Sequence, residues 1–173
     1  MPNAALTFRP ITAADQAFLQ SLYASARAAE MAASGWPAAT IAAFLAQQFS
    51  LQHRYYQEHF ADGEFWLIER AGQAMGRLYL FWGETTLQLI DITLLPEHRG
   101  AGLGTALLGE LLARADAQGL AVGLHVERHN PALRLYLRLG FAAVAQGDIY
   151  LELRRPAVSR ARNPSSAATA CTP

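Results

Sequence analysis

The run His98-Arg99-Gly100-Ala101-Gly102-Leu103-Gly104-Thr105 constrains this chain more than any other stretch. It stands between an apolar run and a helical pattern. Leu87, Leu89, Ile90, Ile92, Leu94 and Leu95 read as a buried strand stopped by Pro96, and Ala106, Leu107, Leu111 and Leu112 recur at helical spacing. A glycine-rich turn that opens a helix aims unpaired backbone N–H groups at one point, where the helix dipole adds positive potential. Gly100, Gly102 and Gly104 are expected to take positive φ and to let the backbone approach a ligand. Such a nest suits a pyrophosphate, and Arg99 would add a guanidinium beside it. The glycine spacing is not the GxGxxG dinucleotide fingerprint, and no Gly-Lys-Ser/Thr follows as in a P-loop.

The rest of the chain frames this turn. Leu6, Phe8 and Pro10 read as a first strand. Thr12 or Asp15 would cap a helix whose apolar face is Phe18, Leu19, Leu22 and Tyr23. Ser34-Gly35-Trp36-Pro37 breaks it, and a second helix is expected from about Ala38 to Phe60. Strands follow at Phe65–Glu69 and Gln73–Trp82, joined by an Ala71-Gly72 turn, with Gly83-Glu84 turning into the Leu87 strand. The helix after the glycine turn ends at Gln118-Gly119, and Leu120–Val126 is a further strand. Asn130-Pro131 starts a helix that Gly140 stops. Phe141–Val144 and Ile149–Leu153 form a closing hairpin.

Hairpins first and strand–helix–strand units later imply an α/β fold of the α+β type. Its core would be a mixed, mostly antiparallel sheet of six to seven strands with helices on both faces. Residues 1–155 are read as one domain. From Pro156 the chain is rich in Ser, Ala, Thr, Arg and Pro without apolar periodicity, so 156–173 is expected to be a disordered tail.

Composition narrows the function. Fourteen basic and fourteen acidic residues cancel, which gives no electrostatic case for nucleic acid. No apolar run approaches the ~20 residues that span a bilayer, and no signal peptide is expected. The single cysteine, Cys171, permits no disulfide within the chain, which fits a reducing, cytoplasmic setting. No His, Cys, Asp or Glu grouping has metal-ligand spacing, so no metal is expected.

A second motif follows the glycine turn by about 26 residues: Asn130-Pro131-Ala132-Leu133-Arg134-Leu135-Tyr136-Leu137-Arg138-Leu139-Gly140-Phe141. An R-x-x-G-x-G turn after a strand, then N-x-x-x-x-x-Y-x-x-x-G-F, resembles the GCN5-related N-acetyltransferase family, tightly from Ile90 to Phe141. The resemblance implies acetyl-CoA as co-substrate, with its pyrophosphate held by Arg99, Gly100, Ala101, Gly102, Leu103, Gly104 and Thr105. It implies that the preceding strand splays from its neighbour and pairs with the pantetheine arm along Ile92, Thr93 and Leu94. Asn130 would touch the same arm, and Tyr136 would lie near the sulfur and protonate the departing thiolate. Dimerisation is common in the family, and the apolar C-terminal hairpin could serve a homodimer.

The residues carry plainer readings beside these. Tyr136 could be one more aromatic on an apolar helix face, and Asn130 a helix cap. Asp91 stands in an apolar strand, where a charge needs a partner. It could be the base for the incoming ammonium, its anchor, or a carboxylate bonded to backbone. Gln88 is where some relatives carry a glutamate, which weakens any claim of a dedicated base. Glu84, His125 and Glu127 are further candidates. Gln48, Gln52 and Tyr55 share a helix face that could line an acceptor pocket. His53 reads as a surface residue.

The leading function is acetyl transfer from acetyl-CoA directly to a primary amine of a small molecule or protein. The alternative is a non-catalytic acyl-CoA-binding or sensing module on the same fold. The acceptor is not written in the sequence, because fold and cofactor do not determine it.

Overall fold

The computed structural model describes residues 5–158. In chain order the elements are β1 (Leu6–Pro10), α1 (Gln16–Ala32), α2 (Ala38–His59), β2 (Glu64–Arg70), β3 (Gln73–Trp82), β4 (Thr86–Leu94), α3 (Leu103–Gln118), β5 (Ala121–Glu127), α4 (Leu133–Arg138), β6 (Ala142–Gln146) and β7 (Tyr150–Arg155). The strands form one seven-stranded sheet in the order β1-β2-β3-β4-β5-β7-β6. Only the β4/β5 pair is parallel. The expected α/β architecture, a mixed and mostly antiparallel sheet flanked by helices, is therefore the one observed. From residue 159 on, the tail and Cys171 lie outside the described residues.

Strand alternation sorts the side chains onto two faces. Leu87, Leu89, Val122, Leu124 and Leu153 pack with Leu107, Leu108, Leu111 and Leu112 of α3. On the opposite face Leu67 packs with Leu19, Tyr23, Leu45 and Phe49 of α1 and α2. Helix ends follow local chemistry. Gly119, at φ +70°, closes α3 in the left-handed conformation that glycine adopts without penalty.

Before α1 the Asp15 carboxylate accepts from the Thr12 N–H at 2.7 Å, and Arg9 clamps it with Nη1 at 2.8 Å and Nη2 at 2.7 Å. Arg9 holds the Asp15 carboxyl far below the ordinary aspartate range. Because the folded-state value is depressed, this stabilisation is present above the unfolded-state value of ~3.9 and fades as pH falls below it. The urea midpoint of Asp15→Asn is expected below that of the native protein at pH 7. The gap should narrow as the buffer is taken to pH 2. A gap independent of pH would mean that packing, not charge, fixes this cap.

Several boundaries depart from the expectation. The glycine-turn strand ends at Leu94, because Pro96–His98 form a short 3-10 turn in which the His98 N–H donates to the Leu95 carbonyl at 2.9 Å. The helix expected from Asn130 begins only at Leu133 and has six residues. Asn130 Oδ1 accepts from the Ala132 N–H at 2.8 Å, so Asn130 and Pro131 form the lead-in rather than the first turn. Gly104 does not take positive φ. Gly100 (+77°) and Gly102 (+78°) do, while Gly104 already lies in the first turn of α3.

No helix among the described residues is long and apolar enough to cross a membrane.

Candidate active site

The site begins as a gap in the sheet. β4 pairs with β5 from Thr86↔Ala121 to Leu89↔Leu124, and pairing ends there. β5 continues to Glu127 against β7 alone, and β4 continues to Leu94 against β3 alone. The two strands diverge, and Ile92, Thr93 and Leu94 lie on the edge that β4 turns to the gap. The register between β3 and β4 shifts here: Tyr79 faces Asp91 and Leu80 faces Leu89, so Ile90 is an extra residue. A bulge of this kind bends the strand and re-aims its side chains.

The glycine turn closes the end of the gap. Arg99 Nε donates to the Leu94 carbonyl at 2.8 Å, which ties the turn to the end of β4. Part of the Arg99 guanidinium is thus committed to the protein rather than to a ligand. Ala106 N–H is the first amide of the helix to find a partner, the Gly102 carbonyl at 2.9 Å. For the N–H groups of Gly100 to Thr105 no backbone acceptor exists among the described residues. A Cβ at Gly100, Gly102 or Gly104 would meet nothing within 4 Å, so the space beside each of these glycines is open.

A cavity of about 230 Å³ fills the gap, lined among others by Ile90, Asp91, Ile92, Thr93, His125, Glu127, Asn130 and Tyr136. Asp91, Ile92, Thr93, Asn130 and Tyr136 therefore meet around one space, while Leu94 and the turn residues Arg99 to Thr105 are not part of its lining. Tyr136 is buried and packs edge-on against Phe141, with centroids 5.7 Å apart. Burial, and then the charge of Asp91, push its hydroxyl up to about 12. It stays protonated through the working pH range, as a proton donor must.

Asp91 finds a partner on the neighbouring strand. Arg77 of β3, only 2% exposed, donates from Nε to Oδ1 at 3.2 Å and from Nη2 to Oδ2 at 2.8 Å. Thr93 Oγ1 adds a bond to Oδ1 at 2.6 Å, and Gln52 Oε1 accepts from Arg77 Nη2 at 2.8 Å. The carboxylate is thus bonded to side chains, not to backbone. Three of its roughly four lone-pair sites are used.

The other candidates fall into two groups. Glu127 is bonded to Arg27 of α1 at 3.1 Å. Gln52 lines the cavity, but Gln48 and Tyr55 do not. A second cavity, of about 730 Å³, continues along α2 and shares Tyr56, Ile90, His125 and Tyr150 with the first. Glu84, Gln88 and Tyr55 line it. His53 is half-buried, with its Nε2 3.1 Å from Gln16 Nε2 on the exposed side. It stacks on Phe49 at 5.4 Å and its Nδ1 is buried, and burial followed by the charge of Arg77 lowers its pKa. Among the described residues no three His, Cys, Asp or Glu side chains are grouped to hold a metal ion.

The sequence reading missed Arg77, Arg27 and Tyr150. For Arg77 the signal was present: Met75-Gly76-Arg77-Leu78-Tyr79-Leu80-Phe81 places one charge in an apolar strand, as Ile90-Asp91-Ile92 does. Two such charges in neighbouring strands are partners by default.

No curated relative matches the chain. Solved structures do. The PaiA N-acetyltransferase from Thermoplasma acidophilum, in complex with coenzyme A, superposes with a TM-score of 0.65 at 18% identity, over 88% of this chain and 99% of that one. An acetyltransferase from Thermus thermophilus gives 0.63 at 22% identity, over 90% and 99%. The ribosomal-protein-S18-alanine N-acetyltransferase from Escherichia coli gives 0.57 at 16%, over 92% and 98%. At such identities the likeness is one of fold. The sequence profile of the acetyltransferase (GNAT) family adds the residue-level match, over 27–141, the span holding both the glycine turn and the asparagine–tyrosine segment. Diverging strands, open glycine turn and profile thus coincide on the same residues, and the chain belongs to the GNAT acetyltransferase family.

Proposed function

We propose that the protein transfers an acetyl group from acetyl-CoA directly to a primary amine. The observation that carries this is the junction of an unpaired β4 edge with six free amides at its end, Gly100 to Thr105. An extended chain ending in a pyrophosphate matches that pattern of donors and acceptors. When bound, acetyl-CoA supplies an acetyl group whose C–S bond is exchanged for a C–N bond to the amine.

Each residue then has a task. The amides of 100–105 hold the pyrophosphate, and the edge of Ile92, Thr93 and Leu94 holds the arm. Asn130 keeps its turn in place and faces the same arm. Tyr136 gives its proton to the departing sulfur. Asp91 serves as anchor rather than base: Arg77 and Thr93 take three of its lone-pair sites, and one is left for the incoming ammonium. His125, where the two cavities join, takes the proton that the ammonium must lose before attack.

Gly104 and Gly109 provide the test. Both lie in α3, and a Cβ at either meets nothing within 4 Å. Alanine at each should stabilise the helix by up to about 1 kcal/mol. Only at Gly104 would the new methyl stand beside the free amides. Calorimetry with acetyl-CoA should show weaker binding for Gly104→Ala, further weakened in Gly104→Val, and native binding for Gly109→Ala. Native affinity in all three would move the cofactor elsewhere. Tight binding without thiol release against any amine would support the sensing-module alternative.

A further inference from the structure

The larger cavity says what kind of amine this site accepts. It follows β4 from Ile90 back to Thr86. Four residues of extended chain put its far end ~13 Å from the point where the two cavities join. Its walls carry rings: Tyr55 and Tyr56 from α2, Phe60 directly after it, Phe81 from β3 and Tyr150 from β7. Phe60 and Phe81 stand 5.8 Å apart at a tilt of 51°. Tyr55, half exposed, stacks on His59 with centroids 3.9 Å apart and lines the space.

One glycine of β5 makes room for a lining side chain. Gly123 stands between Gln88 and Arg154 in the ladder. A Cβ there would lie 3.0 Å from Gln88 Oε1 and press on a side chain that lines the cavity.

Charge narrows the class further. Glu84 and Arg154 line the cavity with one charge of each sign. In the smaller cavity Asp91 and Glu127 are bonded to Arg77 and Arg27, and Asp91 keeps one lone-pair site, enough for a single ammonium. A polyamine needs a carboxylate for each additional ammonium, and the cavity does not supply a series of them. Tyr and Phe rings from four parts of the chain, with Glu84 as the one carboxylate of the lining, favour a single flat apolar body over a chain of ammonium groups.

We infer that the acceptor is a monoamine on an aromatic body, an arylalkylamine, with its ring among Tyr55, Phe60, Phe81 and Tyr150 and its nitrogen at the Ile90 end. The orientation of the nitrogen rests on the acetyltransferase reading; the seat of the ring does not.

The experiment separates the two. 2-Phenylethylamine is titrated calorimetrically into the full chain with CoA present, and acetylation is measured with 2-phenylethylamine, ethylamine, spermidine and a short peptide. Saturable binding is expected, with kcat/KM for 2-phenylethylamine at least about tenfold above that for ethylamine, from burial of the ring. Thr86→Trp, on a strand position that tolerates an aromatic side chain, fills the cavity and should abolish the binding while leaving acetyl-CoA affinity unchanged. Tyr55→Ala, on the exposed side of α2, should weaken it about 3- to 10-fold. Absence of binding, or binding indifferent to Thr86→Trp, overturns the inference. Turnover of spermidine or peptide but not of 2-phenylethylamine overturns it while the acetyltransferase reading stands. Binding lost in Thr86→Trp, with no amine acetylated, supports the cavity assignment and overturns the acetyltransferase reading.

Discussion

Replacing Arg77 with methionine is expected to destabilise the folded protein by about 3–5 kcal/mol, because it leaves the Asp91 carboxylate, 13% exposed, without its cation. Arg77 is 2% exposed and supplies two of the three bonds to Asp91. It also reaches Gln52, which fastens α2 to the sheet. A loss of this size is a large fraction of the roughly 5–15 kcal/mol that holds a domain together. Asp91→Asn should also destabilise, since it leaves the guanidinium buried without a counter-charge. The double variant Arg77→Met/Asp91→Leu is expected to regain much of the loss, because a well-packed apolar pair often matches a buried ion pair. Urea denaturation of the four proteins measures this. Single variants within about 1 kcal/mol of the native protein would show that water, not the pair, compensates each charge. Per-molecule activity of folded Asp91→Asn then reports on the anchor. If it is unchanged, Asp91 serves only the fold.

Tyr136→Phe is expected to lower turnover about 10²- to 10⁴-fold, the usual loss of a positioned general acid. The ring that packs on Phe141 remains, so stability and acetyl-CoA affinity should change little. A tyrosine pushed up to about 12 is a weak acid toward a free thiolate near ~8.5. The burial that raises the hydroxyl raises the thiol in the same cavity, which narrows the gap. The same shift predicts a turnover–pH profile that rises to a plateau and shows no descending limb below pH ~10. Stopped assays reading thiol release would record both. Turnover within threefold of native in Tyr136→Phe would assign the proton to water.

Much of the fold was legible because it rests on local periodicity. The strand periods, the Ala71-Gly72 turn and the helix stop at Gly119 are all short-range signals, and they located the elements within a few residues. Pairwise partnership across strands is not local. Nothing in Ile90-Asp91-Ile92 says that Arg77 will reach it; Arg77 stands opposite Thr93, and its diagonal contact with Asp91 depends on the register of β3 on β4 and on the bulge at Ile90. The same holds for Arg27, which reaches Glu127 across 100 residues of sequence. Gly104 was misjudged for a different reason. Three glycines in alternation looked alike, but the helix begins at Leu103, and only the two glycines before it need the left-handed region. The partial cover of His53 comes from Phe49 one turn earlier and from Gln16 of α1, and the second of these is a tertiary contact.

The parallel pair has a mechanical side. The sheet is two plates, β1 to β4 and β5 to β7, hinged along four rungs from Thr86↔Ala121 to Leu89↔Leu124. The Arg27–Glu127 bond, carried by α1, acts as a strut across the open end of the hinge. A ligand lying along the β4 edge would wedge into that opening and bear on both plates at once. Stiffness of the whole sheet would then depend on what occupies the gap, so that a change of ligand at the centre is felt at β1 and β6, the outermost strands.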